Sequence, residues 1–92
     1  GLAIYDRVLY LLDAAAVEEH FRTFAFILNN VVIDDFHHVG APRTNGAYFT
    51  KDYAAILKAH GFELDADEKS EHPSNEAFFR ENARRLILRK RR

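Results

Sequence analysis

The chain contains no cysteine, which excludes a disulfide framework and thiolate metal sites and leaves the redox compartment open. Its glycines are Gly1, Gly40, Gly46 and Gly61, and none of them stands in the Gly-x-Gly-x-x-Gly spacing of a phosphate- or nucleoside-binding loop. No apolar run approaches the roughly 20 residues that cross a bilayer, and no basic leader followed by an apolar stretch opens the chain. These absences favour a cytoplasmic protein with no membrane partner. Position 1 is Gly1 rather than methionine, so we expect processing or a piece of something longer.

A chain of 92 residues makes one small domain with a modest core, and a partner chain is plausible on length alone. Hydrophobic residues make up 48% and charged residues 29%, the balance of a folded globular chain rather than a disordered one. The formal net charge of −1 hides a segregation. Between Glu63 and Glu76 the acids Glu63, Asp65, Asp67, Glu68, Glu71 and Glu76 face only Lys69. Between Arg80 and Arg92 the bases Arg80, Arg84, Arg85, Arg89, Lys90, Arg91 and Arg92 face only Glu81. Such a basic segment can bind nucleic acid or an anionic surface, and its bland alternative is that the two blocks pair with each other or sit solvated.

The stretch Asn29 to Pro42, NNVVIDDFHHVGAP, is the centre of the chain. Val31, Val32 and Ile33 are consecutive and β-branched, with Asn29-Asn30 before them and Gly40 and Pro42 after, which predicts a buried strand over Asn30 to Asp35. Ligands of open α/β sheets sit just beyond the carboxyl ends of strands, where Asp34, Asp35, His37 and His38 fall.

Before it, the tyrosines and β-branched residues predict a strand over about Ile4 to Tyr10. Asp13 then caps a helix through Ala14, Ala15 and Ala16, with Val17, Phe21, Phe24 and Leu28 on one face and an end near Asn29-Asn30. After the central strand, Phe36 to Gly46 reads as loop from Gly40, Pro42, Asn45 and Gly46. Thr50 is a suitable cap for a helix over Lys51 to His60, which Gly61 ends in the left-handed conformation. Phe62, Leu64 and Ala66 alternate with acids as a half-buried strand, and Lys69 to Ser74 reads as loop. Ser74 can cap a short helix through Phe78, Phe79 and Asn82, and Leu86, Ile87 and Leu88 predict a last strand. One helix from Asn75 to Arg89 is the rival for that segment. Alternation of this kind predicts an α/β fold: a small three- to four-stranded mixed sheet with helices packed on it.

A helix and turn, then VVIDDFHH, then YFTKDYAAILKAHGFEL and finally RRLILRKR resembles the C-terminal half of a class I S-adenosylmethionine-dependent methyltransferase. In that family a strand follows a Leu-Pro-Gly-Gly turn, a helix ends in Gly-Phe, and an antiparallel hairpin closes the sheet. Ile27-Leu28-Asn29-Asn30 stands at the turn position, with asparagines in place of the glycines, and Gly61-Phe62 at the helix end. The resemblance runs from about Ile4 to Lys90. It implies a Rossmann-like half-domain, S-adenosylmethionine as cofactor, and a small-molecule acceptor. Because the Gly-rich cofactor loop is missing, it also implies a second chain, a missing N-terminal half, or a copy that no longer methylates. The first strand would then be an unpaired edge, which dimerisation can cover.

Some methyltransferases of this pattern hold magnesium on acidic residues at the end of the central strand, and Asp34 and Asp35 are the matching positions. With His37 they form the candidate divalent-cation ligands, through carboxylate oxygen and imidazole nitrogen. Ending a strand, the two aspartates point to opposite faces, and the bland alternative is that Asp35 caps the following turn while the histidines are surface residues. His38 is the candidate catalytic base, since imidazole titrates near neutral pH. His72, beside Pro73, reads as a loop residue. The competing function is a small nucleic-acid-binding or adaptor protein that contacts phosphates through Arg84 to Arg92. A strand there would bury Leu86 and Leu88, whereas a recognition helix would present a basic face.

Overall fold

The structure is a computed structural model and describes every residue except Ala47, Pro73 and Arg92. Strand β1 covers Leu2–Asp6, helix α1 Ala14–Phe24 and strand β2 Asn30–Phe36. A two-residue hairpin follows, β3 at Thr44–Asn45 and β4 at Tyr48–Phe49, then helix α2 at Tyr53–Ala59. Strand β5 spans Phe62–Lys69, helix α3 Ala77–Asn82 and strand β6 Ala83–Lys90. The main sheet has four strands in the order β1-β2-β6-β5, so the expected α/β class and mixed sheet are what the chain forms. Only β1 and β2 pair in parallel, while β6 runs antiparallel to both of its neighbours. A parallel return from β5 would need a crossover of a dozen or more residues, usually built on a helix, and the six-residue α3 is short for that.

Several boundaries move for identifiable reasons. The first strand stops at Asp6 rather than Tyr10, because Arg7 takes a left-handed φ of 56° and breaks the extended run. Leu9–Leu11 then forms a short 3-10 turn. Asp13 caps α1 as expected, its Oδ1 accepting from the Ala16 amide at 2.8 Å. The cap of α2 is Asp52, not Thr50: Asp52 Oδ1 accepts from the Ala55 amide at 3.0 Å, while the buried Thr50 hydroxyl accepts from the Arg43 amide at 2.9 Å. Gly61 ends α2 at φ 89°. The expected loop of Phe36 to Gly46 gives up Phe36 to β2 and Thr44–Asn45 to the first strand of a hairpin whose second strand lies beyond it. The C-terminal segment is a strand, which removes the rival helix, and Leu86 and Leu88 are both fully buried in it.

Strand alternation gives the sheet two unlike faces. Val31, Ile33, Leu86 and Leu88 share one face and pack under Val17 and Phe21 of α1 and Tyr53 and Leu57 of α2, forming the core. The opposite face carries the row Ile4, Val32, Ile87 and Ala66 across all four strands. It is left open along its β1 edge, with Leu2 61% and Ile4 65% exposed. At its carboxyl end it is closed by an aromatic cluster in which Phe36 meets Tyr10, Tyr48, Phe78 and Phe79 at ring separations of 4.9 to 5.8 Å.

The acidic and basic blocks of the sequence are β5 and β6, and they pair with each other. Arg84 bonds Asp67, and Arg89 bonds Glu63 and Asp65 on the adjacent strand, while Arg85 reaches Glu71 just beyond it. Among the described residues no helix is long and apolar enough to cross a membrane.

Candidate functional site

The parallel register of β1 and β2 sets Asp6 directly beside Asp34 at the carboxyl ends of the two strands. The loop after β5 then brings His72 over them, with its Nε2 2.5 Å from Asp6 Oδ1. One ligand atom from each of Asp6, Asp34 and His72 lies within 4.8 Å of the others, the one such carboxylate and histidine cluster among the described residues. These side chains line a groove of about 370 Å³ with Ile4, Tyr5, Val32, Glu71 and Arg85. The groove therefore has an apolar floor and a polar, mixed-charge wall at the strand ends.

Asp34 is held in place from behind. Its Oδ1 accepts from Arg7 Nε at 3.2 Å and from Ser70 Oγ at 2.7 Å, and Arg7 Nη2 also donates to Ser70 Oγ at 3.2 Å. The Arg7 guanidinium lies 5.0 Å from the centre of the Phe36 ring, between that aromatic face and the carboxylate. Arg7 is the non-glycine residue at positive φ among the described residues. Strain of this kind costs of order 1 kcal/mol or more and persists where the surroundings over-determine it, here by two side-chain hydrogen bonds and an amide bond from Arg7 N to Asp34 O.

Asp35 goes the other way. It is fully buried on the helix-covered face, where Oδ2 accepts from the Tyr10 amide at 3.0 Å and Oδ1 from the Phe36 amide at 2.8 Å. Burial raises its pKa above the ordinary carboxylate value, opposed by those two amides and by the charges of Lys51 and Arg7. Lys51 is itself buried, donates to the Leu9 carbonyl at 3.4 Å and sits 4.4 Å from the centre of the Phe49 ring. Burial lowers its pKa, against the pull of Asp35 and Asp13. The Tyr53 hydroxyl shares this interior without a hydrogen-bond partner, and burial together with the nearby Asp35 charge raises its pKa far above the usual phenol value.

The expected ligand set of Asp34, Asp35 and His37 is thus not brought together. Alternation along β2 separates the two carboxylates, and His37 is buried with its Nδ1 accepting from the Tyr53 amide at 3.2 Å. That bond places the ring proton on Nε2, which has no partner, and burial lowers the His37 pKa. His38, the candidate base, is half-buried, donates its amide to the Lys51 carbonyl at 3.2 Å, and lies outside the groove. Sequence reasoning missed Asp6 and His72. Asp6 ends a strand parallel to the central one, but only the left-handed turn at Arg7 shows that the strand ends there, and the sequence pattern carries it on to Tyr10. His72 carried none, because its partner is 66 residues away.

A larger hollow of about 470 Å³ lies between α2 and the start of β5, lined by Val39, Ala54, Phe62 and Leu64 with four charged residues at its rim. Its Asp52 is already committed to capping α2 and to the Gly40 amide. No family model matches the chain, and no curated protein matches it.

Proposed function

We propose that this chain is the acceptor-side half of an S-adenosylmethionine-dependent methyltransferase-like fold, holding a small molecule that carries hydroxyl groups at the end of β1 and β2. The observation that carries this reading is the pair of registered carboxylates, Asp6 and Asp34, with His72 above them, at the carboxyl ends of the two parallel strands. The strand order supports it too: a parallel pair extended by an antiparallel β5-β6 hairpin is the arrangement the resemblance implies.

The donor set suits a divalent ion such as magnesium or manganese, with two carboxylates and one imidazole as ligands. Bound there, such an ion would polarise an acceptor hydroxyl and favour its deprotonation. The chain's own residues do the rest. Arg7 and Ser70 fix the Asp34 carboxylate, and Asp6 orients the His72 ring. With Nε2–H donated to Asp6, His72 presents its Nδ1 lone pair as the imidazole ligand, and no second histidine of the groove takes the basic role assigned on sequence to His38. Ile4 and Val32 offer an apolar floor for the acceptor's carbon skeleton.

The methyl donor does not fit this chain alone. Gly40, Gly46 and Gly61 stand apart in the chain and build no Gly-rich loop of the kind on which a nucleoside rests. The cofactor half belongs to a second polypeptide in this reading, and no transfer step is assigned to the residues here. Calorimetric titration with manganese and a catechol-like diol is the test. The expected result is metal binding, diol heat only when metal is present, and no S-adenosylmethionine heat from the chain alone. Absence of metal and diol binding at millimolar ligand contradicts the proposal. The nucleic-acid reading has less support, since Arg84, Arg85 and Arg89 are already engaged by acids.

A further inference from the structure

Strand β1 is an open edge of the sheet, and from Leu2 to Tyr5 it has no proline, lysine or bulge to discourage pairing. Its main-chain groups alternate in direction. The Gly1 carbonyl accepts from Asn30 and the Arg7 amide donates to Asp34, so odd-numbered residues bond β2 while the amides and carbonyls of Leu2, Ile4 and Asp6 point to the open side. The exposed side chains of Leu2 and Ile4 stand on the sheet's open face beside that row.

Further apolar surface adjoins the same edge on the other face. Helix α1 runs back along β1, since Tyr5 bonds His20 at 2.6 Å and the Gly1 ammonium donates to the Ile27 carbonyl at 2.9 Å. Phe24, Phe26 and Ile27, all exposed, therefore gather near the start of the strand. Scattered exposed hydrophobes are ordinary, but a cluster around an unpaired strand marks an interaction surface.

We infer that a second copy of this chain pairs with this edge, β1 antiparallel to β1 about a two-fold axis through Ala3. A two-fold axis permits only the antiparallel direction, and the edge is self-complementary about Ala3. Leu2 falls opposite Ile4 of the partner subunit and Ile4 opposite Leu2 of the partner subunit. Both are outward-pointing residues and form hydrogen-bonded pairs, so apolar side chains meet on the open face. Ala3, small and half-buried, occupies the closely approaching non-hydrogen-bonded pair on the axis. Moving the axis to Ile4 would set Leu2 against Asp6 of the partner subunit and draw that carboxylate away from His72. With the axis at Ala3, Asp6 stays clear, and Leu2 of the partner subunit extends the apolar floor beside Ile4.

A stable interface covers on the order of 800 Å² per partner, more than a five-residue edge supplies, so Phe24, Phe26 and Ile27 form the rest of it. The inference does not rest on what the groove binds, and it competes with the methyltransferase reading for this edge: a dimer through β1 leaves a cofactor half on a second polypeptide no place there.

The test is light scattering of the whole chain at micromolar concentration, with a mass twice 10.6 kDa expected. Leu2→Lys changes an exposed residue outside the groove, and it should keep the native circular dichroism while becoming monomeric. Because the chain has no cysteine, Ala3→Cys reports the register: mild oxidation should link two copies at this position and far less at Ile4→Cys. A monomeric wild type, or a Leu2→Lys variant that remains dimeric, overturns the interface. Linking at Ile4 in preference to Ala3 overturns the axis. Manganese binding by monomeric Leu2→Lys is expected to persist, so loss of the dimer and loss of the metal site are read separately.

Discussion

Asp34 and Asp35 are neighbours in sequence and belong to different parts of the molecule. Asp34 faces the open side, 8% exposed, joined to Arg7 and Ser70 and next to Asp6 and His72. Asp35 faces the helices at 0% exposure, bonded to two main-chain amides with the Lys51 charge close by. Alternation along one strand turns a carboxylate pair into one group available to a ligand and one that fastens the Tyr10 turn to the core. Adjacent acids at a strand end are therefore a poor ligand pair, and a better one comes from the same position on the neighbouring parallel strand.

The contrast between the two faces predicts where mutation hurts most. Phe21→Ala, under the helix-covered face, should cost about 3 to 5 kcal/mol, whereas Ile4→Ala on the open face should change urea stability by less than about 0.5 kcal/mol in monomeric protein. Equal losses would mean that the open face is covered in solution. Next in size is Asp35→Ala, which removes the acceptor for Tyr10 and leaves Lys51 buried without its counter-charge; a loss of about 3 kcal/mol is expected, against about 1 kcal/mol for Asp34→Ala. Urea midpoints that reverse this order would show that Asp34 is the structural carboxylate.

A smaller effect appears with pH. The folded pKa of His37 lies below its ordinary 6.5, so below that pH the unfolded chain binds a proton that the native chain does not. Stability should begin to fall as pH drops below about 7 and go on falling until the folded His37 takes up its proton, with a slope of at most about 1.4 kcal/mol per unit. Asp35 acts in the opposite sense, because burial raises its folded pKa: stability is gained as pH falls through that value toward the ordinary 3.8. The variant His37→Gln should flatten the fall that begins below about pH 7. An unchanged slope would place its origin elsewhere. Least of all, Arg89→Ala should change little, because its bonds to Glu63 and Asp65 are exposed and screened by salt, and a large loss that persists in high salt would contradict the solvated pairing of β5 and β6.

Much of this fold was legible because it is local. Asp13 before three alanines, Gly61 after an apolar helix face, and Val31 to Ile33 between asparagines and a loop each fix an element by short-range chemistry. Thr50 misled because Thr50 and Asp52 are both good caps two positions apart, and tertiary contact with Arg43 decides between them. The site was legible only in part. Asp34 follows from its place at the end of a strand, but Asp6 required knowing that Arg7 turns left-handed, and nothing in Tyr5-Asp6-Arg7-Val8 signals that. His72 and Ser70 reach the site through long-range packing of the loop after β5, which no local pattern encodes.

The most direct test is manganese titration of isotope-labelled protein, followed by paramagnetic broadening of its resonances. Signals of Asp6 and His72 should broaden first as manganese is added, ahead of those of His37 and His38, and His72→Ala should weaken binding at least about tenfold without changing the fold. Broadening that begins at His37 and His38, or none at all at millimolar manganese, would contradict the assignment of the open-face groove as the working site.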